Sequence, residues 1–107
     1  MTDLVRGRIY RARPDGFAQD TFFLVVSNSN RNRHLDSVLV VRFTTSPKPA
    51  LPSIVEVPAS EVLPGGRLVC DDIYELVEDE VKDDVGALSP QTMAAVGRGL
   101  RAALGLE

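Results

Sequence analysis

Tryptophan is absent from this chain, cysteine and histidine occur once each, and only two of the 12 basic residues are lysine. The lone Cys70 cannot close an internal disulfide, which fits a reducing cytoplasm. Set between Val69 and the acids Asp71 and Asp72, it reads as a small apolar filler, since neighbouring carboxylates raise a thiol's pKa. With so few soft ligands, and with the acids of 71–84 lacking the spaced pattern of a calcium loop, no metal or other cofactor is expected. A Ser-His-Asp site would have to use His34, and no nucleophile elbow is present. No Gly-rich phosphate loop follows a strand. No apolar run approaches the roughly 18 residues of a membrane span. The opening MTDLVRGRIY carries charge at once and lacks an apolar h-region, so no secretory signal is expected and the location reads as cytoplasmic.

What is present is a single domain over 1–107 with a strong charge asymmetry. Residues 1–54 carry a formal charge of +4 and residues 55–107 one of −7, giving the net −3. Eight acids crowd into 71–84. Such halves suggest a nucleic-acid face opposed by an acidic face. Arginine, ten against two lysines, forks phosphate oxygens in pairs and favours phosphate contact.

Hydrophobic periodicity predicts strands over Val5–Arg13 with Ile9 inward, Phe22–Ser27, Ser37–Thr45, Ile54–Val57 and Arg67–Cys70, with a strand or extended piece over Asp72–Leu76. Pro14-Asp15-Gly16 and Pro64-Gly65-Gly66 are turn signals, and Pro47, Pro49 and Pro52 break any ladder. Ser27–Asp36 reads as a polar loop and Asp79–Val85 as a short helical turn. Ser89 (N-cap), Pro90 (first turn) and Gly105 (C-cap) frame a closing helix. Gly97 and Gly99 within it would mark close packing on the sheet. The fold class is therefore mainly β with a C-terminal helix: a small barrel or strongly curved antiparallel sheet.

The most informative stretch is LVVSNSNRNRHLDSVLVVRFTTS, residues 24–46. Its second strand alternates, with Leu39, Val41 and Phe43 on one face and Val38, Val40, Arg42 and Thr44 on the other. The second face reads as a working surface. Arg31, Arg33 and His34 of the preceding loop, with Thr45 and Ser46, would join it at one sheet edge to grip RNA phosphates. Metal-free RNA cleavage needs these residue types. The substrate's 2′-OH attacks phosphorus, so a group must take that proton and another must protonate the leaving 5′-oxygen. Cations and short donors must hold the charged intermediate.

The segments RGRIY at 6–10, FLVVSN at 23–28, RNR at 31–33, VLVVRFTTS at 38–46, LVCDDIYEL at 68–76 and VGALSPQTMAAVGRGLRAALGL at 85–106 occur in the order and spacing of MazF/PemK-like toxins. The chain resembles this family of type II toxin–antitoxin ribonucleases, its actinobacterial members most. The resemblance implies an SH3-like barrel of the CcdB/MazF kind, assembled as a two-fold homodimer. It implies metal-free, sequence-specific cleavage of single-stranded RNA to 2′,3′-cyclic phosphate and 5′-hydroxyl ends, and a cognate antitoxin protein that covers the RNA groove. Thr44 falls on the family's catalytic Ser/Thr. The family's arginine at the start of the second strand falls at about Thr21 here. A replacement is expected from Arg13, Arg42 or Arg11, in that order. Few aromatics stand near the loops at 14–20 and 46–53 to stack bases: Tyr10, Phe17 and Phe22.

Two other readings stay open. One is a protein-binding gyrase poison of the same fold, which the tryptophan-free ending LGLE disfavours. The other is a catalytically weak RNA-binding relative, which the missing arginine favours.

Overall fold

The structure, a computed structural model, describes residues 2–106; the terminal residues of the expected domain, with the Glu of the LGLE ending, lie outside them. Six strands form one antiparallel sheet: β1 (Arg8–Ala12), β2 (Thr21–Val25), β3 (Val38–Thr44), β4 (Ile54–Glu56), β5 (Arg67–Leu76) and β6 (Val81–Ala87). Their order is β4-β5-β3-β2-β1-β6. Helix α1 (Ser29–His34) connects β2 to β3, and α2 (Pro90–Leu104) closes the fold against β5 and β4. No helix among the described residues is long and apolar enough to cross a membrane.

The sheet is strongly curved and both faces bury side chains. One face joins Ile9, Leu24, Val41, Phe43, Leu68, Cys70 and Val96 of α2 in a single cluster. The other gathers Tyr10, Ala12, Phe23, Val25, Val38, Val40 and Leu76, with Phe17 and Tyr74 packed on it. The parity expected for β3 holds, but the working surface does not span its whole second face. Val38 and Val40 are fully buried, so only the Arg42–Thr44 end remains open.

Curvature has a visible source in β5. Val41 pairs with Ile73, yet Arg42 pairs with Val69, leaving Cys70, Asp71 and Asp72 outside the β3 ladder. Such a bulge bends a strand and raises its twist. The displaced groups find other partners. The Cys70 amide donates to Ser53 O at 3.0 Å, and Ser53 Oγ donates to Asp71 at 2.6 Å. The bulge also makes one ten-residue strand of the two pieces read from sequence.

Two other expectations are corrected. Ser27–Asp36 is not all loop. Asn28 caps α1 by accepting from the Arg31 amide at 2.7 Å, and basic Arg31, Arg33 and His34 sit at the helix C-terminus, where the dipole favours cations. Asn32 is buried, exchanging hydrogen bonds with Ser27. The segment Asp79–Val85 holds a 3-10 turn only at Glu78–Glu80, and β6 follows it. The acidic run extends as a strand because its partner is basic: Tyr10 lies opposite Asp84 and Arg11 opposite Asp83. Arg8 and Arg11 pair with Asp84 and Asp83. The charge asymmetry thus reflects in part pairing between halves, rather than two opposed faces.

The closing helix follows its sequence signals. The Ser89 hydroxyl accepts from the Thr92 amide at 3.2 Å, Pro90 sits in the first turn, and Gly105 caps in the left-handed region at φ 68. Gly99 is closely packed, because a Cβ there would meet Cys70 Sγ and Val55 Cγ2, each at 2.9 Å. Gly97 faces open space instead. Cys70 is fully buried, and burial pushes its thiol up to about 11, as suits a filler.

Candidate active site

The open end of β3 borders a cleft of about 640 Å³ lined by residues of the β1–β2 loop, β2, β3 and Tyr74. Arg42, Thr44, Thr45, Asp20 and Thr21 all contribute to its walls. The ladder explains the grouping. Phe23 lies opposite Arg42, and the same register carried two residues further brings Thr21 abreast of Thr44. Arg42 and Thr44, two apart on one strand, project from the same face about 7 Å apart. Phe17, Phe23 and Tyr74 stack edge-to-face on this side of the sheet, with ring centroids 5.2–5.9 Å apart.

The Thr44 hydroxyl accepts from the Ser46 amide at 3.1 Å, which fixes its orientation and leaves its proton free to donate outward. Arg42 is anchored by Asp72, whose Oδ2 accepts from Nη2 at 2.7 Å and from Nε at 3.1 Å. Its Nη1 has no partner among the described residues. Arg11 is differently placed. Its Nε and Nη2 donate to Asp83 and its Nη1 to Asp20, so every guanidinium nitrogen is engaged by a carboxylate. The Asp83 hydrogen bond is the main cause of its raised pKa. Arg13 approaches Asp20 at 3.8 Å and is otherwise half exposed. Of the three arginines expected to replace the one absent at Thr21, only Arg42 lines the cleft; Arg11 and Arg13 reach its Asp20 wall.

The loop cations do not join this group. Arg31, Arg33 and His34 lie on α1, at the Val38 end of β3, about 20 Å along the strand from Thr44. Arg31 Nη1 donates to Ser37 O at 2.7 Å, and the His34 ring contacts Asn30 O at 2.8 Å. The expectation of one edge carrying Arg31, Arg33 and His34 together with Arg42 and Thr44 fails within the chain. The connection is helical and enters β3 at its far end.

Asp20 goes unrecognised in the sequence, where it ends the loop at 14–20 before the second strand. Among the described residues it is the sole carboxylate lining the cleft. Only the ion pairs to Arg11 and Arg13 mark it, and no spacing along the chain encodes them.

A profile described as "PemK-like, MazF-like toxin of type II toxin-antitoxin system" matches residues 6–104. The chain is 37% identical over 102 residues to "Endoribonuclease MazF1" of Mycobacterium bovis and to "Endoribonuclease MazF4" of Mycobacterium tuberculosis, covering 95% of this chain and 93% of each relative. A solved structure described as "Endoribonuclease in complex with its cognate antitoxin from Mycobacterial species" superposes with a TM-score of 0.88 at 36% identity, over 97% of both chains. The Mycobacterium tuberculosis toxin MazF-mt6, at 23% identity and TM-score 0.77 over 94% of this chain and 98% of that one, shares the fold. On the strength of a match across nearly its whole length, the chain belongs to the PemK-like, MazF-like toxins of type II toxin–antitoxin systems.

Proposed function

We propose that this chain is a toxin endoribonuclease that cuts single-stranded RNA at a short motif, without metal, and is neutralised by a cognate antitoxin. The observation that carries the reading is the pairing of Arg42 and Thr44 on one open strand face inside the cleft. The names of its mycobacterial relatives support it.

The geometry supports the following chemistry. The 2′-oxygen attacks the adjacent phosphorus and the P–O5′ bond breaks, leaving a 2′,3′-cyclic phosphate and a 5′-hydroxyl. The Thr44 hydroxyl donates to a non-bridging oxygen, and the free Nη1 of Arg42 offsets the charge that develops there. Asp20, held by Arg11 and Arg13, is the carboxylate placed to take the 2′ proton. The leaving 5′-oxygen takes its proton from water entering the open cleft. The toxin acts in the cytoplasm as a homodimer. Arg31, Arg33 and His34 then serve RNA only at a distance from the scissile phosphate, and Thr45 and Ser46 contact the flanking backbone.

A catalytically weak RNA-binding role is the second reading, favoured by Thr21 standing where the family carries arginine. Incubating purified protein with a mixed-sequence single-stranded RNA in EDTA separates the two. Cuts at one motif with cyclic-phosphate ends support the nuclease. Retention of RNA without cuts supports the second reading, and neither effect sinks both. Light scattering of the same sample reads the dimer.

A further inference from the structure

Thr44 has a cationic neighbour besides Arg42. In the β3–β5 ladder its cross-strand partner is Arg67. Residues directly opposite in an antiparallel pair share a face, with Cβ atoms about 5 Å apart, closer than the two-residue step to Arg42. Read along the chain, Arg67 is simply the first residue of a strand after a glycine turn. Only the register places it beside the hydroxyl.

Its side chain is held in two ways. Nε lies 2.9 Å from Glu56 Oε2, the carboxylate opposite it on β4. Nη1 approaches Ser46 O at 3.4 Å, and the amide of that same Ser46 donates to Thr44 Oγ1. Guanidinium and hydroxyl are thus tied to one residue of the β3–β4 loop. Nη2 has no partner among the described residues. The Arg67 side chain keeps about a quarter of its surface open, and Glu56 is mostly exposed. A pair with one partner mostly in solvent contributes little to stability. Stability alone therefore gives weak grounds for an arginine at this position.

We propose that Arg67 is a second phosphate-binding arginine of the active site, a catalytic residue that contacts the scissile phosphate from the β5 side of Thr44 while Arg42 contacts it from the same strand. This rests on the endoribonuclease reading. The two guanidiniums offer free donors, Nη1 of Arg42 and Nη2 of Arg67, on either side of one hydroxyl. Together they supply the charge that an arginine at Thr21 would otherwise bring from the β2 side.

The test uses the full-length protein and an RNA carrying its cleavage motif, with a single phosphorothioate of defined stereochemistry at the scissile position. Arg67→Ala and Arg67→Lys are expected to lower kcat at least tenfold with melting temperatures close to that of the unmodified protein. Because one donor to a non-bridging oxygen is gone, the rate penalty for sulfur at that oxygen should shrink in Arg67→Ala and stay unchanged at the other. Added methylguanidinium should restore part of the lost rate in Arg67→Ala. If the unmodified protein cuts RNA and Arg67→Ala cuts within threefold of it, or with an unchanged sulfur penalty at both oxygens, this assignment is overturned and the nuclease reading stands. If the unmodified protein fails to cut, both fall. If Arg67→Ala does not fold, Arg67→Lys decides on the same criteria, since a point charge cannot reproduce the fork.

Discussion

Arg42 and Asp72, the latter one of three β5 residues outside the ladder with β3, are joined by hydrogen bonds of 2.7 and 3.1 Å. Asp72→Ala should lower RNA cleavage about tenfold by releasing the guanidinium, a loss of positioning rather than of charge at the phosphate. Asp72→Asn keeps an acceptor and should recover part of it. In an Arg42→Ala background, Asp72→Ala should have almost no further effect; a full tenfold drop there would show that the two act independently.

The remaining cations should rank by their place in the fold. Thr44→Ala and Arg42→Gln are each expected to lower kcat by about 10²-fold or more, the scale of losing one donor to a developing oxyanion. Arg11→Gln and Arg13→Gln act only through Asp20 and should cost less, about tenfold or below. His34→Ala should stay within twofold, since α1 lies at the other end of β3. Single-turnover cleavage rates read the order directly, and a His34→Ala loss as large as that of Thr44→Ala would contradict it.

Stability should depend on pH through Glu61. It accepts hydrogen bonds from the Ser89 hydroxyl at 2.6 Å and the amide at 3.1 Å, and from the Thr92 hydroxyl. The Ser89 and Thr92 hydroxyls hold its carboxyl below the usual range. A depressed carboxylate stabilises the fold above its unfolded-state pKa, about 4.3, and loses that contribution as pH falls through its folded value. Glu61→Gln should lower the melting temperature by a few degrees at pH 7, given about 4–8 °C per kcal/mol in a domain near this size. The gap should close below about pH 4. A gap of constant size from pH 7 to pH 3 would rule out this role.

The two helix glycines should respond oppositely to alanine. Gly99→Ala presses a Cβ against Cys70 Sγ and Val55 Cγ2 and should destabilise by about 1–3 kcal/mol. Gly97→Ala meets nothing within 4 Å and should stabilise by up to about 1 kcal/mol through helix propensity. Urea denaturation of the two variants gives both signs.

Much of the architecture was legible from local signals. Ser89, Pro90 and Gly105 framed α2, because caps act within a few residues. The alternation over Val38–Thr44 placed Arg42 with Thr44, because strand parity is local. The ordered motifs identified the family. Three things needed the folded chain. Helix α1 was read as a loop because its residues have poor helix propensity, and the cap at Asn28 with the burial of Asn32 outweighs that. Asp79–Val85 reads as a short helical turn because a strand rich in acids is implausible until Arg8 and Arg11 pair with Asp84 and Asp83. Arg67 and Asp72 carried no signal, since one depends on interstrand register and the other on a bulge. Residue types and periodicity thus determined which strands form and that Arg42 and Thr44 share a face. Only the tertiary structure decided which other charges stand near Thr44, because the Thr44–Arg67 register and the Arg42–Asp72 ion pair join residues 23 and 30 positions apart, and no local preference of the chain encodes those pairings.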